Sequence, residues 1–281
     1  MDSRFLLATA CALFGAGLTA SLAGLRRERP VWARLGAAAL WAGFATQSAG
    51  LYWRGVERTE LPVANVFEML QVLAWGVVAV DILLRMATRV RLPDALIAGL
   101  AALFSAVAFL RPAWDGNPSA AFEGNPWIGF HVGAIVLAFS FFAALAVNSV
   151  AYLAQHRALA GRRPGLVSRM LPPLRQLDRV GVQLLGVGLA LLTLALAVGF
   201  AGLAHHGAES SVFKLVVAAL VWIGYTAMFM LRRRERLGGR GFARAGLLLF
   251  LLAMFSLWPA NNRRRTIVLP PAEEDVSGGH R

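Results

Sequence analysis

Three histidines beside long apolar runs are the residues of this chain best suited to bind a metal-containing group. His131 lies in the aromatic segment that begins at Trp127, and His205 and His206 are adjacent to each other further along the chain. A neutral imidazole nitrogen is a good axial ligand for haem iron, and an apolar surrounding suits the macrocycle. The alternative for each histidine is a hydrogen bond between helices.

A second group of polar residues lies at the start of another apolar run. Asn65 and Glu68 are three residues apart, which is the spacing of a capping box, in which Asn caps a helix and Glu reaches back to a backbone amide. Glu68 could instead orient a ligand or a neighbouring helix. Asp81 and Arg85 have the i,i+4 spacing of an ion pair on one helix.

The composition excludes an ordinary water-soluble fold. Hydrophobic residues make up 58% of the 281 residues and charged residues only 15%, whereas soluble domains carry about 25% charged residues. The net charge of +13 comes almost entirely from arginine, with Lys214 as the single lysine. These arginines form short clusters between apolar runs, so they indicate loops of a membrane protein and not a nucleic-acid-binding surface. A single cysteine, Cys11, excludes a disulfide framework, a CxxC thiol relay and a Cys-ligated zinc.

Eight apolar segments are long enough to cross a bilayer, which takes about 20 residues as a helix. Helices are expected because transmembrane strands would show alternating segments of about 10 residues. The fold class is therefore all-α, a polytopic membrane helix bundle of about eight transmembrane helices. The segments are 5–25, 31–53, 66–86, 93–110, 127–155, 180–203, 212–231 and 242–258.

Arginine counts predict the orientation of these segments. Alternate loops within 26–34, 85–91, 157–179 and 232–244 hold 19 of the 27 arginines. The positive-inside rule places these loops in the cytoplasm and both termini outside. His131, His205, His206 and Glu68 then lie at the outer face. In this orientation the three arginines at 263–265 lie outside, which disagrees with the positive-inside rule. One transmembrane segment more or fewer would place them inside.

Three segments carry a resemblance to a known family. Pro62-x-x-Asn65-x-Phe67-Glu68, followed by Trp75, is similar to the "P-x-x-N-x-Y-E … W" segment of the cytochrome c assembly family, which includes the CcsA-, ResC-, CcmC- and HemX-like membrane proteins. The segment 127–132 resembles the family's "W-x-x-x-H-V" helix. Residues 214–232, with Trp222, Tyr225 and Arg232, resemble its "K … W-x-x-Y … R" helix.

This resemblance implies a function and a domain organisation. In the family a histidine at the position of His131 is an external haem ligand, so the cofactor implied is haem b. Trp127, Asn65 and Glu68 are further candidate cofactor-binding residues. Residues 1–60 would form two N-terminal transmembrane helices, 61–259 a six-helix family domain, and 260–281 a polar tail expected to be disordered. The expected function is haem handling at the outer face of the bacterial cytoplasmic membrane, for delivery to apocytochrome c with a ResB-like assembly protein.

The chain departs from the family pattern at two places. The loop corresponding to the family's tryptophan-rich segment, 203–214, has no tryptophan and no Asp before Lys214, and a second external histidine has no counterpart at the family's spacing. His205 or His206 could supply that ligand from a different position. The alternative function is a HemX-like regulator that binds a haem-biosynthesis enzyme or an assembly protein without transferring haem. A secondary transporter is a weaker alternative, and no enzymatic activity is expected.

Overall fold

The computed structural model is helical throughout the residues it describes, which confirms the all-α part of the predicted fold class. It describes residues 2–27, 29–88, 90–116, 126–161, 171–206 and 212–256, and within these ranges it contains eight α-helices and no strand. A short 3₁₀ helix, Pro112–Asp115, follows the fourth α-helix. The helices are α1 Ser3–Arg27, α2 Pro30–Arg58, α3 Val66–Thr88, α4 Asp94–Phe109, α5 Pro126–Ala160, α6 Leu174–His206, α7 Val212–Arg233 and α8 Gly239–Ser256.

Five of the described helices, α1, α3, α5, α6 and α7, are long and apolar enough to span a membrane. Helix α4 is apolar but has only 16 residues. A helix suits hydrocarbon because it satisfies its own backbone hydrogen bonds. The chain is therefore a multi-pass membrane protein. That all eight segments cross the bilayer, and that both termini lie outside, stay predictions.

The helices pack as two groups that meet along α3 and α5. In the first group α1 packs along α2 and α4, and α4 packs along α3. In the second, α5 packs along α6 and α8, while α7 packs along α6 and α8. A ring contact between Phe104 of α4 and Phe250 of α8, with centroids 6.4 Å apart, also joins the groups. The predicted division at residue 60 stays a prediction.

Small residues allow α1 and α2 to approach closely. A Cβ atom built on Gly36 would lie 2.9 Å from the backbone nitrogen of Ser21. A Cβ atom on Gly24 would lie 3.0 Å from the backbone nitrogen of Ala33. Such backbone approach is typical of membrane helices whose interfaces carry Gly, Ala and Ser.

Several helices are longer than the apolar segments that predicted them. Helix α2 continues to Arg58, and α6 begins at Leu174 and ends at His206. His205 and His206 therefore belong to the last turn of α6, where the sequence predicted an interhelical loop. Hydropathy marks only the part of a helix that lies in hydrocarbon, whereas helical hydrogen bonding continues beyond it through polar residues. The predicted tail, 260–281, lies outside the described residues.

Candidate functional site

His131 lies on the second turn of α5, and its imidazole is fixed by the backbone of α6. The side chain is half-buried, and its Nδ1 atom lies 2.6 Å from the carbonyl oxygen of Ala195. Because a carbonyl oxygen only accepts hydrogen bonds, Nδ1 carries the proton and is the donor of this hydrogen bond. In a neutral imidazole the lone pair then resides on Nε2. A backbone acceptor on the other ring nitrogen is a common way to orient a metal-binding histidine.

Gly199 of α6 makes room for this imidazole. A Cβ atom built on Gly199 would lie 2.7 Å from Nδ1 of His131 and 3.1 Å from its Nε2. Ala195 and Gly199 are four residues apart and share one face of α6. The histidine therefore packs against a helix face that has a carbonyl acceptor at one turn and no side chain at the next.

Exposed aromatic side chains are close in sequence to the residues of this contact. Trp127 and Phe130 of α5 are 62% and 48% exposed, and Phe200, next to Gly199, is 74% exposed. Interfacial aromatic residues are common at the ends of membrane helices. One imidazole nitrogen with apolar side chains at neighbouring positions is a combination that would suit haem. The described residues contain no group of three or more His, Cys, Asp or Glu placed to hold a bare metal ion.

Asn65 and Glu68 form the predicted cap at the start of α3. The backbone N–H of Glu68 donates to Oδ1 of Asn65 at 2.8 Å, and Oε2 of Glu68 accepts from the backbone N–H of Ala64 at 2.9 Å. The reciprocal bond thus reaches one residue before the cap position. This geometry confirms the capping interpretation of the Asn-x-x-Glu spacing.

Glu68 also belongs to a buried group of charges that we call the outer ionic cluster. Its carboxylate is fully buried, and Oε1 lies 2.8 Å from Nε of Arg54 and 2.6 Å from Nη1 of Arg58. Asp115 of the 3₁₀ helix pairs with Arg54 and lies 3.4 Å from Nε of Arg4. The cluster therefore ties the ends of α1, α2 and α3 to the 3₁₀ helix. Its members are Arg4, Arg54, Arg58, Glu68 and Asp115.

His131 and Glu68 lie at the same end of the bundle, which we call the outer end from the predicted orientation. The chain before α3 approaches the start of α5 there, because Cδ1 of Leu61 would lie 3.7 Å from a Cβ atom on Gly129. Asn65 forms a hydrogen bond with Glu68. The contacts described for His131 are with Ala195 and Gly199 of α6, and not with these two residues. The side chains of His205 and His206 lie outside the described residues, as does the whole of the stretch 207–211.

Arg54, Asp115 and Gly199 are site residues that the sequence did not identify. The sequence placed Arg54 and Arg58 in an outer loop, whereas α2 continues through both. Their i,i+4 spacing at the end of an apolar run is a signal that could have extended the helix. A glycine within an apolar segment, such as Gly199, indicates a close helix contact but does not identify the partner. No local pattern identifies the acceptor Ala195.

Residues of the other family-like segments have packing roles. The indole nitrogen of Trp75 donates to Oγ of Ser48 at 2.8 Å, and Tyr225 is buried and stacks on Phe142 with ring centroids 3.7 Å apart. Arg232 pairs with Asp178 and donates to the carbonyl oxygen of Leu237 at 2.6 Å. These contacts link α2 to α3, α5 to α7, and α6 to α7.

The predicted pair of Asp81 and Arg85 is also present. Nε of Arg85 donates to Oδ2 of Asp81 at 2.7 Å, which confirms the i,i+4 interaction. Arg85 reaches Asp94 of α4 as well, at 2.5 Å. The pair therefore fastens the end of α3 to the start of α4.

Comparison with known proteins identifies the family. The sequence profile described as "Cytochrome C assembly protein" matches residues 63–260. A protein of Azospirillum brasilense, described as an uncharacterized 28.8 kDa protein in the nifR3-like 5′ region, is 35% identical over 130 residues. That alignment covers 45% of this chain and 47% of the relative, so the chain spans about half of the relative's length. Because the profile covers well over half of the chain, the protein belongs to the cytochrome c assembly protein family, which comprises membrane components of cytochrome c biogenesis.

Proposed function

We propose that this protein holds haem b at the outer face of the bacterial cytoplasmic membrane, for delivery to apocytochrome c, with His131 as an axial ligand. The observation that carries the proposal is the hydrogen bond between His131 Nδ1 and the carbonyl oxygen of Ala195, at 2.6 Å. It fixes the tautomer in which Nε2 keeps its lone pair for iron. When bound, haem supplies the iron and vinyl groups that a c-type cytochrome acquires.

The residues around His131 support binding and orientation of the haem. Gly199 lets the imidazole lie against α6, and the hydrogen bond to Ala195 limits its rotation. The exposed rings of Trp127, Phe130 and Phe200 offer an apolar surface against which a macrocycle would be shielded from water.

The register of α6 favours His206 over His205 as a second ligand. Position 206 is seven residues beyond 199 and therefore lies on the face of α6 that meets His131, about 10.5 Å further along the helix axis. Position 205 lies about a third of a turn away from that face. His206 is therefore the residue that would supply a second nitrogen ligand if haem is bound.

Glu68 and Asn65 support the site indirectly. All described partners of the Glu68 carboxylate are the arginines of α2 and the backbone of Ala64, so this carboxylate positions helices at the outer end. We assign both residues the role of holding α3 in place next to α5, with which it packs. A partner such as a ResB-like assembly protein or apocytochrome c would approach at this end.

The second candidate function is that of a HemX-like regulator. The observation that favours it is the segment 203–214, which lacks the tryptophans of the family's haem-presenting loop. In this function the arginine-rich end would bind a haem-biosynthesis enzyme or an assembly protein, without haem transfer.

An absorption spectrum of the full-length protein distinguishes the two functions. The chain is expressed with ample haem, purified in mild detergent, and its haem is quantified. We expect a Soret band that is weakened in His131→Ala and retained in His156→Ala, a matched histidine at the other end of α5. A haem-free wild-type protein, or equal loss in both variants, would reject haem ligation by His131. Co-purification of a tetrapyrrole-synthesis enzyme with a haem-free chain would favour the regulator.

A further inference from the structure

A crevice opens at the arginine-rich end of the bundle, between α6 and the turn that joins α7 to α8. Its volume is about 400 Å³, and Val182 of α6 lies on one side of it. The turn contains Glu235 in the left-handed region, with φ of 57°. A Cβ atom built on Gly238 would meet nothing within 4 Å, so the mouth of the crevice is open at this residue. The lining residues are Val182, Arg232, Arg233, Glu235, Leu237 and Gly238.

The crevice carries positive charge that the described residues do not neutralise. Arg232 is engaged by Asp178 and by the carbonyl oxygen of Leu237. Arg233 is exposed and lies over the ring of Phe229, with its Cζ atom 5.4 Å from the centroid. The exposed arginines at 233, 234, 236, 240 and 244 form no ion pair with any residue in the described ranges. Glu235 is the single carboxylate among the lining residues, and its negative charge disfavours the binding of an anion there.

Exposed apolar residues adjoin the crevice. Val182 and Leu237 give it apolar sides, and Met230 and Leu231, one turn or less before the arginines, are exposed. Helix α7 is the most exposed of the spanning helices, with only 17% of its apolar window buried. An arginine cluster at the end of such a helix lies at the level of the phospholipid headgroups.

We propose that this crevice binds the headgroup of an anionic phospholipid, with the acyl chains along the exposed apolar surface of α7. Arg233 is placed to pair with the phosphodiester, and the neighbouring exposed arginines add to the local positive potential. Arg232 shapes the pocket and is already paired with Asp178. The site is separate from His131, which lies at the opposite end of the bundle, and it does not depend on haem handling.

The test measures lipid binding to the full-length protein in detergent by native mass spectrometry, with phosphatidylglycerol and phosphatidylethanolamine as probes. We expect one phosphatidylglycerol to bind in preference to phosphatidylethanolamine. Arg233→Gln should weaken this binding about fivefold, the equivalent of about 1 kcal/mol for one arginine near an anionic headgroup. Glu235→Gln should strengthen it, which a misfolded variant would not do.

The matched control is Arg34→Gln, an exposed arginine on α2 at the same end of the bundle. We expect it to leave phosphatidylglycerol binding unchanged. Equal effects of Arg34→Gln and Arg233→Gln would show that the arginines act only through general surface charge and would overturn the proposal. Equal binding of the two lipids would overturn it as well. So would displacement of phosphatidylglycerol by millimolar inorganic phosphate, since the site would then be one for free anions.

Discussion

The imidazole of His131 donates from Nδ1 to the carbonyl oxygen of Ala195 across 64 residues of sequence, at 2.6 Å. This contact joins the outer ends of α5 and α6 and fixes which ring nitrogen is free. A histidine that served only to connect two helices would need this bond alone. The partial exposure of the imidazole and the exposed aromatic rings at neighbouring positions are what favour a ligand.

Replacing Gly199 tests whether the position of His131 matters. The added methyl group of Gly199→Ala would lie 2.7 Å from Nδ1, so we expect the imidazole to move away from Ala195 and the haem content to fall. The haem content per purified chain is the measurement. Gly133→Ala on α5 is the control, because its Cβ meets nothing within 4 Å. Unchanged haem in Gly199→Ala would argue against a fixed imidazole.

The outer ionic cluster is expected to stabilise the fold. Glu68→Gln removes the fully buried carboxylate that Arg54 and Arg58 share and leaves them only Asp115, so the loss should approach the cost of breaking a buried pair, about 3–5 kcal/mol. Thermal unfolding in detergent should show a clear loss of stability. Glu57→Gln is the control, because Glu57 is exposed and accepts one bond from Ser3 at 3.0 Å.

The same variant distinguishes the two possible roles of Glu68. If Glu68 only holds the helices together, the Glu68→Gln variant should bind as much haem per folded molecule as the wild type at low temperature, where the variant is still folded. Loss of haem from a chain that is still folded would instead show that Glu68 contacts the cofactor, as the family resemblance implied.

The close approach of α1 and α2 predicts a strong effect of small substitutions. Gly36→Ala places a methyl group 2.9 Å from the backbone nitrogen of Ser21, and overpacking of this kind costs about 1–3 kcal/mol. Gly15→Ala on α1 meets nothing within 4 Å and should be neutral or gain about 0.5–1 kcal/mol. Unfolding in detergent compares the two. Equal stability of both variants would contradict the packing described for α1 and α2.

A buried amide pair lies deep within the first group of helices. Nε2 of Gln47 donates to Oε1 of Gln71 at 2.9 Å, and Oγ of Ser105 donates to the same oxygen at 3.0 Å. A double-mutant cycle with Gln47→Leu and Gln71→Leu should give a coupling free energy of about 0.6 kcal/mol, the average for such bonds in membranes. The distant pair of Gln47→Leu and Thr193→Val should be additive.

Cysteine labelling in intact cells tests the predicted orientation of the chain in the membrane. In a Cys11→Ser background, Trp127→Cys should react with a membrane-impermeant thiol reagent from outside intact cells. Arg234→Cys should react only after the membrane is permeabilised. Both substituted positions are exposed in the structure. The reverse pattern would place His131 in the cytoplasm and exclude delivery of haem to an external apocytochrome.

Local patterns predicted more of this structure than distant contacts did. The helical class, the cap of Asn65 on Glu68 and the pair of Asp81 and Arg85 depend on neighbours within four residues, and all three were predictable. The bond from His131 to Ala195 and the pair of Arg54 with Asp115 span 64 and 61 residues. Such contacts depend on how helices pack, and periodicity within one helix does not specify its partner. The sequence therefore identified Glu68 as notable without indicating the arginines that neutralise it.

Chemical rescue at His131 is the most direct test of haem ligation by this protein. His131→Gly removes the imidazole and leaves space for a free one, and absorbance titration with haem measures binding with and without added imidazole. We expect weak binding by the variant alone and a restored low-spin Soret band when imidazole is present. Wild-type-like haem binding by His131→Gly without imidazole would contradict axial ligation by His131.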